Sequence, residues 1–382
     1  MKKSIYICIL FVVMCFVIGC TKKEENSAST NKKKTETKKE EKQIIAYVTD
    51  YESIDDKFYK GAIWKGIKTF AKQQNYLKKK YSAKTENNKD SKIKAVEKAV
   101  SEGADIIVFP DSSYAEIIGE LQYQYSDIDM LLVDFEPIDA KGNVNASKNV
   151  ATVGFKEEEA AYMTGFVAVA EGYRRVGFYG AMKDKSTNDY GYGFIQGLSD
   201  AAKKLKLSSY SIKLEFRYVG GYSPADAIVA DAKKSYETGT EVIYCCSGDA
   251  INSIVKATER ITRRKIIGCV DEDVNLSNNV IFSSLIDVEK VIKETLDEYV
   301  FDGNRWGMAY AGNVIEYGMK NDVISLSASE GSWRMKNISE NKYEVFYNNL
   351  LNSNITIYGN IVPTTSYVSI NMKDVNRKVY KK

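Results

Sequence analysis

Short apolar runs alternate with helix-like stretches from Ile44 onward, and this alternation constrains the fold more than any other feature of the chain. The stretch Tyr59–Gln73 has apolar residues at helical spacing on one face. The short runs are nearly free of charge, as expected for parallel strands covered on both faces. The alternation predicts an α/β fold of parallel sheets flanked by helices. The predicted strands are Ile44–Val48, Ile106–Phe109, Met130–Asp134, Val176–Gly180, Val242–Cys246 and Ile266–Val270.

Two segments of the chain share a similar residue pattern. Residues 103–112 and 239–248 each run from a glycine through an acidic residue and a buried strand into a small polar loop. The length of 382 residues is enough for two domains. The shared pattern therefore predicts two similar α/β lobes that face one another.

Polar loops follow several of the predicted strands. Ligands of such sheets bind beyond the carboxyl ends of the strands. Carboxylates accept hydrogen bonds from hydroxyl and amino groups, so they suit a ribose or an amino-substituted base. A single Asp after a strand is often only a helix cap, but its repetition favours a ligand site. The loops are 50–56, 111–113, 247–249 and 271–273, with Tyr51, Tyr59, Tyr190 and Tyr222 as candidate stacking rings.

Charge and histidine content exclude several function classes. The first 43 residues carry a net charge of +5 and the whole chain +3, so the remainder is at −2 and has no basic footprint for nucleic acid. The chain has no histidine, which removes histidine-based acid–base catalysis and histidine-containing zinc sites. We predict no nucleic-acid partner and no metal.

The N-terminus has the pattern of an export signal. Lys2 and Lys3 precede an apolar run from Ile5 to Ile18, too short to span a bilayer as a helix. The segment Val17–Cys20 resembles a bacterial lipobox, which predicts a leader over residues 1–20 and lipidation of Cys20. Simple signal cleavage near Gly19 is the alternative. Residues 21–43 are rich in Lys and Glu and predict a disordered tether.

Three cysteines lie beyond the leader and the anchor. Cys245 and Cys246 are adjacent in a predicted strand, so they point to opposite faces and cannot easily bridge each other. We interpret Cys245, Cys246 and Cys269 as small, buried apolar residues. The sequence implies no disulfide framework.

Three motifs carry a resemblance to a known family. Thr49-Asp50 with the segment 54–66, the segment Phe155–Gly165 and the segment Ile267–Asp273 resemble the signatures of the basic membrane protein family. Its members are bacterial nucleoside-binding lipoproteins of ABC importers. The similarity runs from about Ile44 to Val323 and fades after Asp322.

The resemblance implies a two-lobed class I periplasmic-binding fold with three crossings between the lobes. The crossings are expected near Val153, Phe282 and Tyr310. The first lobe would comprise residues 44–153 plus 283–310, and the second lobe residues 154–282 plus 311–382.

The resemblance also implies ligand contacts. By position, Asp50, Tyr59 and Asp271 would contact a nucleoside, with Tyr59 stacking on the base. Two positions depart from the family: Lys60 replaces an Asn and Asp287 replaces a Lys. These changes leave open a modified base, another glycoside or a non-nucleoside. The remaining predicted ligand-binding residues are Asp111, Ser112, Tyr222 and Gly248.

The sequence thus predicts a monomeric lipoprotein on the extracytoplasmic face of the cell membrane. It would bind a purine nucleoside by hinge closure and deliver it to an ABC permease and ATPase. We expect neither catalysis nor a cofactor. The alternatives are a ligand sensor or surface interaction protein, and a binding protein for sugars or other solutes.

Two further features carry alternatives of their own. The segment Gly191–Gly197 begins about ten residues beyond its strand, so its glycines suit close helix packing better than phosphate binding. An acidic cleft would also suit a glycosidase. The segment Tyr343–Tyr358 predicts either a partner surface or a C-terminal strand and loop packed on the second lobe.

Overall fold

The computed structural model describes residues 43–50, 59–82, 88–259, 263–301, 310–327 and 331–375. The predicted leader, the lipobox, nearly all of the tether and the loop 51–58 lie outside these residues. Among the residues that are described, no helix is both long and apolar enough to cross a membrane.

The elements alternate in type along most of the chain. The strands are β1 (Ile44–Thr49), β2 (Leu77–Ser82), β3 (Ile106–Phe109), β4 (Asp129–Val133), β5 (Val150–Phe155), β6 (Arg175–Gly180), β7 (Ile212–Tyr218), β8 (Val242–Cys246), β9 (Lys265–Gly268), β10 (Val280–Ile286), β11 (Val314–Tyr317), β12 (Ile324–Leu326) and β13 (Val368–Asp374). The helices are α1 (Tyr59–Gln74), α2 (Lys89–Ser101), α3 (Ala115–Gln124), α4 (Glu157–Glu171), α5 (Lys185–Lys204), α6 (Asp226–Glu237), α7 (Ile251–Thr258), α8 (Val288–Phe301) and α9 (Glu340–Leu351).

The first sheet has the order β11-β5-β4-β3-β1-β2, and its strands are all parallel. Strands β3 and β5 are buried throughout their length. Helix α8 packs on α1, where Thr69 donates to Glu289 at 3.2 Å and Gln74 donates to Asp297 at 3.2 Å. Helix α8, although late in the chain, therefore belongs to the first lobe.

The second sheet has the order β12-β10-β9-β8-β6-β7-β13. Its strands are parallel except for β12, which runs antiparallel to β10 with Ser284 opposite Leu326. Helices α4 to α7 connect or flank these strands. The α/β prediction with two parallel-sheet lobes is confirmed.

The strand pairings define where the chain passes between the lobes. Strand β5 belongs to the first sheet and α4 contacts the second, so the first passage lies at Lys156. The second lies at Asp287, between β10 and α8. The third follows β11, whose Tyr317 pairs with Phe155, and so comes later than the expected position near Tyr310. The difference arises because β11 is a short, half-exposed edge strand without a strong apolar pattern.

Helices α4 and α5 form the most extensive helix–helix contact in the described part of the chain. A Cβ at Gly193 or Gly197 would overlap the backbone carbonyls of Glu158 or Tyr162. A Cβ at Gly191 would overlap the ring of Phe216. These glycines serve close packing, as the sequence predicted.

The segment Tyr343–Tyr358 forms part of a helix rather than the expected strand. Within α9, Phe346 stacks on Phe166 with ring centroids 3.6 Å apart. Tyr347 donates to the Met319 carbonyl at 3.2 Å. Tyr358, beyond the helix, is half-exposed. The first part of the segment is therefore packed on the second lobe.

Candidate functional site

Three charged side chains meet at the carboxyl ends of β1 and β3. Asp50 follows β1, Asp111 follows β3, and Lys60 lies in the first turn of α1. The Lys60 ammonium is 2.6 Å from Asp50 Oδ1 and also forms an ion pair with Asp111 Oδ2. We call Asp50, Lys60 and Asp111 the Lys60 triad.

The triad is partly buried and its charges are coupled. Burial alone would lower the pKa of Lys60, but the carboxylates of Asp111 and Asp50 outweigh it and raise that pKa. Burial opposes ionisation of Asp111, yet Lys60 and the Ser113 amide lower its pKa. Asp111 Oδ1 accepts from Ser113 N at 2.9 Å, which also caps the short 3₁₀ helix that contains Ser112. Lys60 thus holds two predicted ligand carboxylates in place.

Tyr59 lies beside the triad and faces the first passage between the lobes. Its ring meets the Phe155 ring edge-on at 6.3 Å. Burial raises the pKa of Tyr59 well above its ordinary value, and the carboxyls of Asp134 and Glu157 raise it further. Its buried hydroxyl has no hydrogen-bond partner among the described residues. Tyr59 therefore joins the triad to a second acidic group.

That second group is a pair of carboxyls that the sequence analysis missed, Asp134 and Glu157, here called the carboxyl pair. Asp134 follows β4 and Glu157 begins α4. Burial raises the pKa of Glu157 well above its ordinary range, and the Asp134 charge raises it further. Burial likewise raises the pKa of Asp134, against the opposing charge of Lys185. The available signals were an Asp at a strand end and the first Glu of the Phe155–Gly165 motif.

The start of α5 brings more charge to the same place. Ser186 donates to Glu157 at 3.0 Å, and Lys185 is 2.7 Å from Asp189. Glu157, Glu158 and Asp189 have carboxylate oxygens within 4.8 Å of one another, a spacing that could hold a cation. The Lys185 ammonium already supplies positive charge there. Burial raises the pKa of Glu158 to about 7, so protonation also limits the negative charge.

Tyr222 of the second lobe is half-exposed, and charges from both lobes act on it. Burial raises its pKa to about 12, with further contributions from Asp184, Asp134 and Asp111. Gly248 lies beside the Tyr222 ring, and its φ of +52° is in the left-handed region that favours glycine. Tyr222 and Gly248 thus lie together in the second lobe, where charges of the triad and the carboxyl pair reach Tyr222.

The loop after β9 contains two Asp residues, Asp271 and Asp273, with different roles. Asp273 is buried and accepts hydrogen bonds from the amides of Cys269 at 2.8 Å and Val270 at 3.1 Å. Burial raises the pKa of Asp273 to about 6. Asp271 is only half-buried. Asp273 therefore holds the turn together, and the predicted ligand role stays with Asp271.

Asp287 has a structural contact of its own. Its Oδ1 accepts from Lys290 N at 2.9 Å and so caps α8. Its side chain is exposed at the second passage between the lobes. The hydrogen bonds of Asp287 join it to α8 and to Val323, just before β12.

One concave surface lies beside this site and another lies away from it. One of about 320 Å³ is lined by Ser112, Ser113 and Lys92, beside the triad. A larger one of about 500 Å³ lies among residues 333–342, away from the strand ends. Only the smaller one contains a predicted ligand residue.

A family model described as ABC transporter substrate-binding protein, PnrA-like, matches residues 18–364 of the chain. The chain belongs to this family. The match extends beyond Val323, where the sequence resemblance was expected to fade. The family consists of substrate-binding proteins rather than enzymes.

Individual relatives agree with this assignment. The chain is similar to the ABC transporter nucleoside-binding protein BmpA of Lactococcus lactis, with 22% identity over 76% of this chain and 83% of that protein. It is also similar to basic membrane protein A of Borreliella afzelii, with 25% identity over 71% and 79% of the two chains. The resemblance to basic membrane proteins is confirmed.

A solved structure supports the fold. The chain resembles an ABC transporter solute-binding protein of Aeropyrum pernix, with a TM-score of 0.60, 16% identity and coverage of 81% of this chain and 85% of that chain. At this identity the likeness concerns the fold alone. The periplasmic-binding-protein-like prediction is confirmed.

Proposed function

We propose that this substrate-binding protein binds a purine nucleoside in the cleft between its two sheets. The observation that carries the proposal is the position of the Tyr59 ring beside the Lys60 triad at the carboxyl ends of β1 and β3. The charges of Asp111 and Asp134 of the first lobe also act on Tyr222 of the second lobe and raise its pKa. Stacking on Tyr59 or Tyr222 would bind the base at about 1–3 kcal/mol per stacked ring. The name of the Lactococcus relative supports a nucleoside as the ligand.

Polar recognition would come from the acidic groups around the rings. Asp271 would accept hydrogen bonds from the ribose hydroxyls. Lys60 would act on the ligand indirectly, because its ammonium holds the carboxylates of Asp50 and Asp111. The raised pKa values of the carboxyl pair favour a protonated carboxyl at neutral pH, which can donate a hydrogen bond to a ring nitrogen.

Closure would occur about the three segments that join the sheets, near Lys156, Asp287 and residues 318–323. The closed, loaded protein would then dock on an ABC permease with its ATPase. We further propose that it acts as a monomer held to the extracytoplasmic face of the membrane by lipid on Cys20.

A thermal-shift panel on the full chain tests the ligand class. We expect purine nucleosides to raise Tm, since a ligand at 100 times its Kd adds about 2.7 kcal/mol to the free energy of unfolding. Pyrimidine nucleosides, free bases, sugars and amino acids form the other arms. Shifts with sugars or amino acids alone would overturn the nucleoside proposal.

Variants test the site within the same panel. Asp271→Ala should weaken purine nucleoside binding about tenfold, because it removes a charged acceptor. Asp226→Ala is the matched control, since that Asp is exposed on α6. Calorimetry that finds equal affinity for Asp271→Ala and the wild type would remove Asp271 from the site.

A further inference from the structure

Two cysteines distant in sequence lie together at the carboxyl ends of β8 and β9. The strands are parallel neighbours, with Ile243 opposite Ile266 and Tyr244 opposite Ile267. Continuing that register by two residues places Cys246 opposite Cys269. Opposite residues of adjacent strands point to the same face, at a Cα separation that suits a disulfide.

The side chains have the corresponding orientation. The Sγ atoms of Cys246 and Cys269 are 2.7 Å apart, and both thiols are free. Cys245 points to the other face, where its Sγ contacts Ser247 Oγ at 3.1 Å. The geometry therefore selects one partner for Cys269 out of two adjacent cysteines.

We propose that Cys246 and Cys269 are a disulfide-forming site of this protein, with a small-molecule or protein disulfide as the oxidant. This departs from the sequence expectation that the cysteines are only buried apolar residues. An extracytoplasmic location would be compatible with such a bond, but the site itself does not depend on the proposed ligand.

The exchange proceeds in two balanced steps. The Cys269 thiol is half-buried, and as the thiolate it attacks the oxidant disulfide, giving a mixed disulfide and one released thiol. Cys246 is buried away from the oxidant, and burial raises the pKa of its thiol, so it does not react first. It reacts in the second step because its Sγ lies 2.7 Å from that of Cys269. It attacks the Cys269 sulfur, its proton passes to the departing thiolate, and a second thiol leaves. Two cysteine thiols are oxidised and one oxidant disulfide is reduced.

The bond would connect the two loops that follow β8 and β9. The first contains Gly248, beside Tyr222. The second is anchored to Cys269 through Asp273, which accepts from the Cys269 amide. Oxidation would therefore restrict two loops that line the same edge of the second sheet. We expect the oxidised protein to melt several degrees above the reduced protein.

Peptide mapping of the full chain tests the proposal. The native protein is incubated with oxidised glutathione, acid-quenched, denatured, alkylated and digested. We expect a peptide cross-link between Cys246 and Cys269, with Cys245 alkylated. The variant Cys245→Ser should form the same link, and either Cys246→Ser or Cys269→Ser should lose it.

Wild-type mapping decides the matter even if a variant folds poorly. Full alkylation of Cys246 and Cys269 after native oxidation would overturn the proposal. So would a link from Cys269 to Cys245 that forms as readily as the link to Cys246, measured by comparing Cys245→Ser with Cys246→Ser.

Discussion

At the residue scale, Lys60 changes what the surrounding acidic residues can do. Treated separately, Asp50 and Asp111 are two acceptors for a ligand. In the structure they share the Lys60 ammonium, so their orientation depends on a residue where the family resemblance implies an Asn. The Lys60 ammonium pairs with both acidic groups. The sequence identified each member of the triad but not that they pair with one another.

The carboxyl pair leads to a prediction about pH. The folded pKa values of Asp134 and Glu157 are raised by burial, so between about pH 4 and those raised values the folded state holds more protons than the unfolded chain. Stability therefore falls as pH rises through this window. Asp134→Asn removes one ionisable group, and Asn tolerates the φ of +65° at this position.

We expect Asp134→Asn to gain stability relative to the wild type as pH increases from about 5 to about 8, by about 1–2 kcal/mol. Urea unfolding at several pH values measures this difference. The charges of Lys185, Asp184 and Asp189 around Asp134 stay in place in the variant. Exposed Asp127→Asn is the control and should show a flat difference. A flat difference for Asp134→Asn as well would contradict the raised pKa.

At the element scale, the sequence pattern predicted six strands and missed the edge strands together with the interior strands β5, β7 and β10. The central strands β3 and β8 are buried throughout, so their sequences are continuously apolar. The edge strand β2 reads Leu-Lys-Lys-Lys-Tyr-Ser and has no such pattern, because lysines suit an exposed sheet edge. Strand β11 is also an edge strand, short and half-exposed. Its sequence therefore did not indicate that the third crossing comes after it.

The contact between α4 and α5 leads to a prediction at this scale. A Cβ at Gly197 would overlap the backbone carbonyl of Tyr162, which cannot move as a side chain can. Gly197→Ala should therefore lower the free energy of unfolding by about 1–3 kcal/mol. Lys203→Ala, at an exposed position of the same helix, should change it by about 0.5 kcal/mol or less. Equal urea midpoints for the two variants would show that the helices can separate without loss.

At the scale of the whole molecule, the family assignment rests on a match across most of the chain. The fold provides two sheets whose strand ends face the same region, and the side chains there decide the ligand. The triad, the rings and the carboxyl pair come from both sheets. A ligand that contacts both would favour closure, since it binds the closed state better than the open one.

The predicted anchor is tested on the whole cellular protein. Cys20→Ala should leave the precursor without lipid, since the acyl chains attach through that sulfur. Metabolic labelling with a fatty acid should then give no labelled band. Cys15→Ala is the matched control within the leader and should keep the label. Label on the Cys20→Ala protein would show that the lipobox reading is wrong.

The sequence by itself determined the fold class, the two-lobed plan and the family, because hydrophobic periodicity and local motifs are properties of neighbouring residues. Tertiary structure alone decided which polar groups meet. Asp50 with Asp111, Asp134 with Glu157, and Cys246 with Cys269 are each separated by many residues. Strand register and the packing of the lobes bring them together, and both depend on the folded core rather than on any local segment.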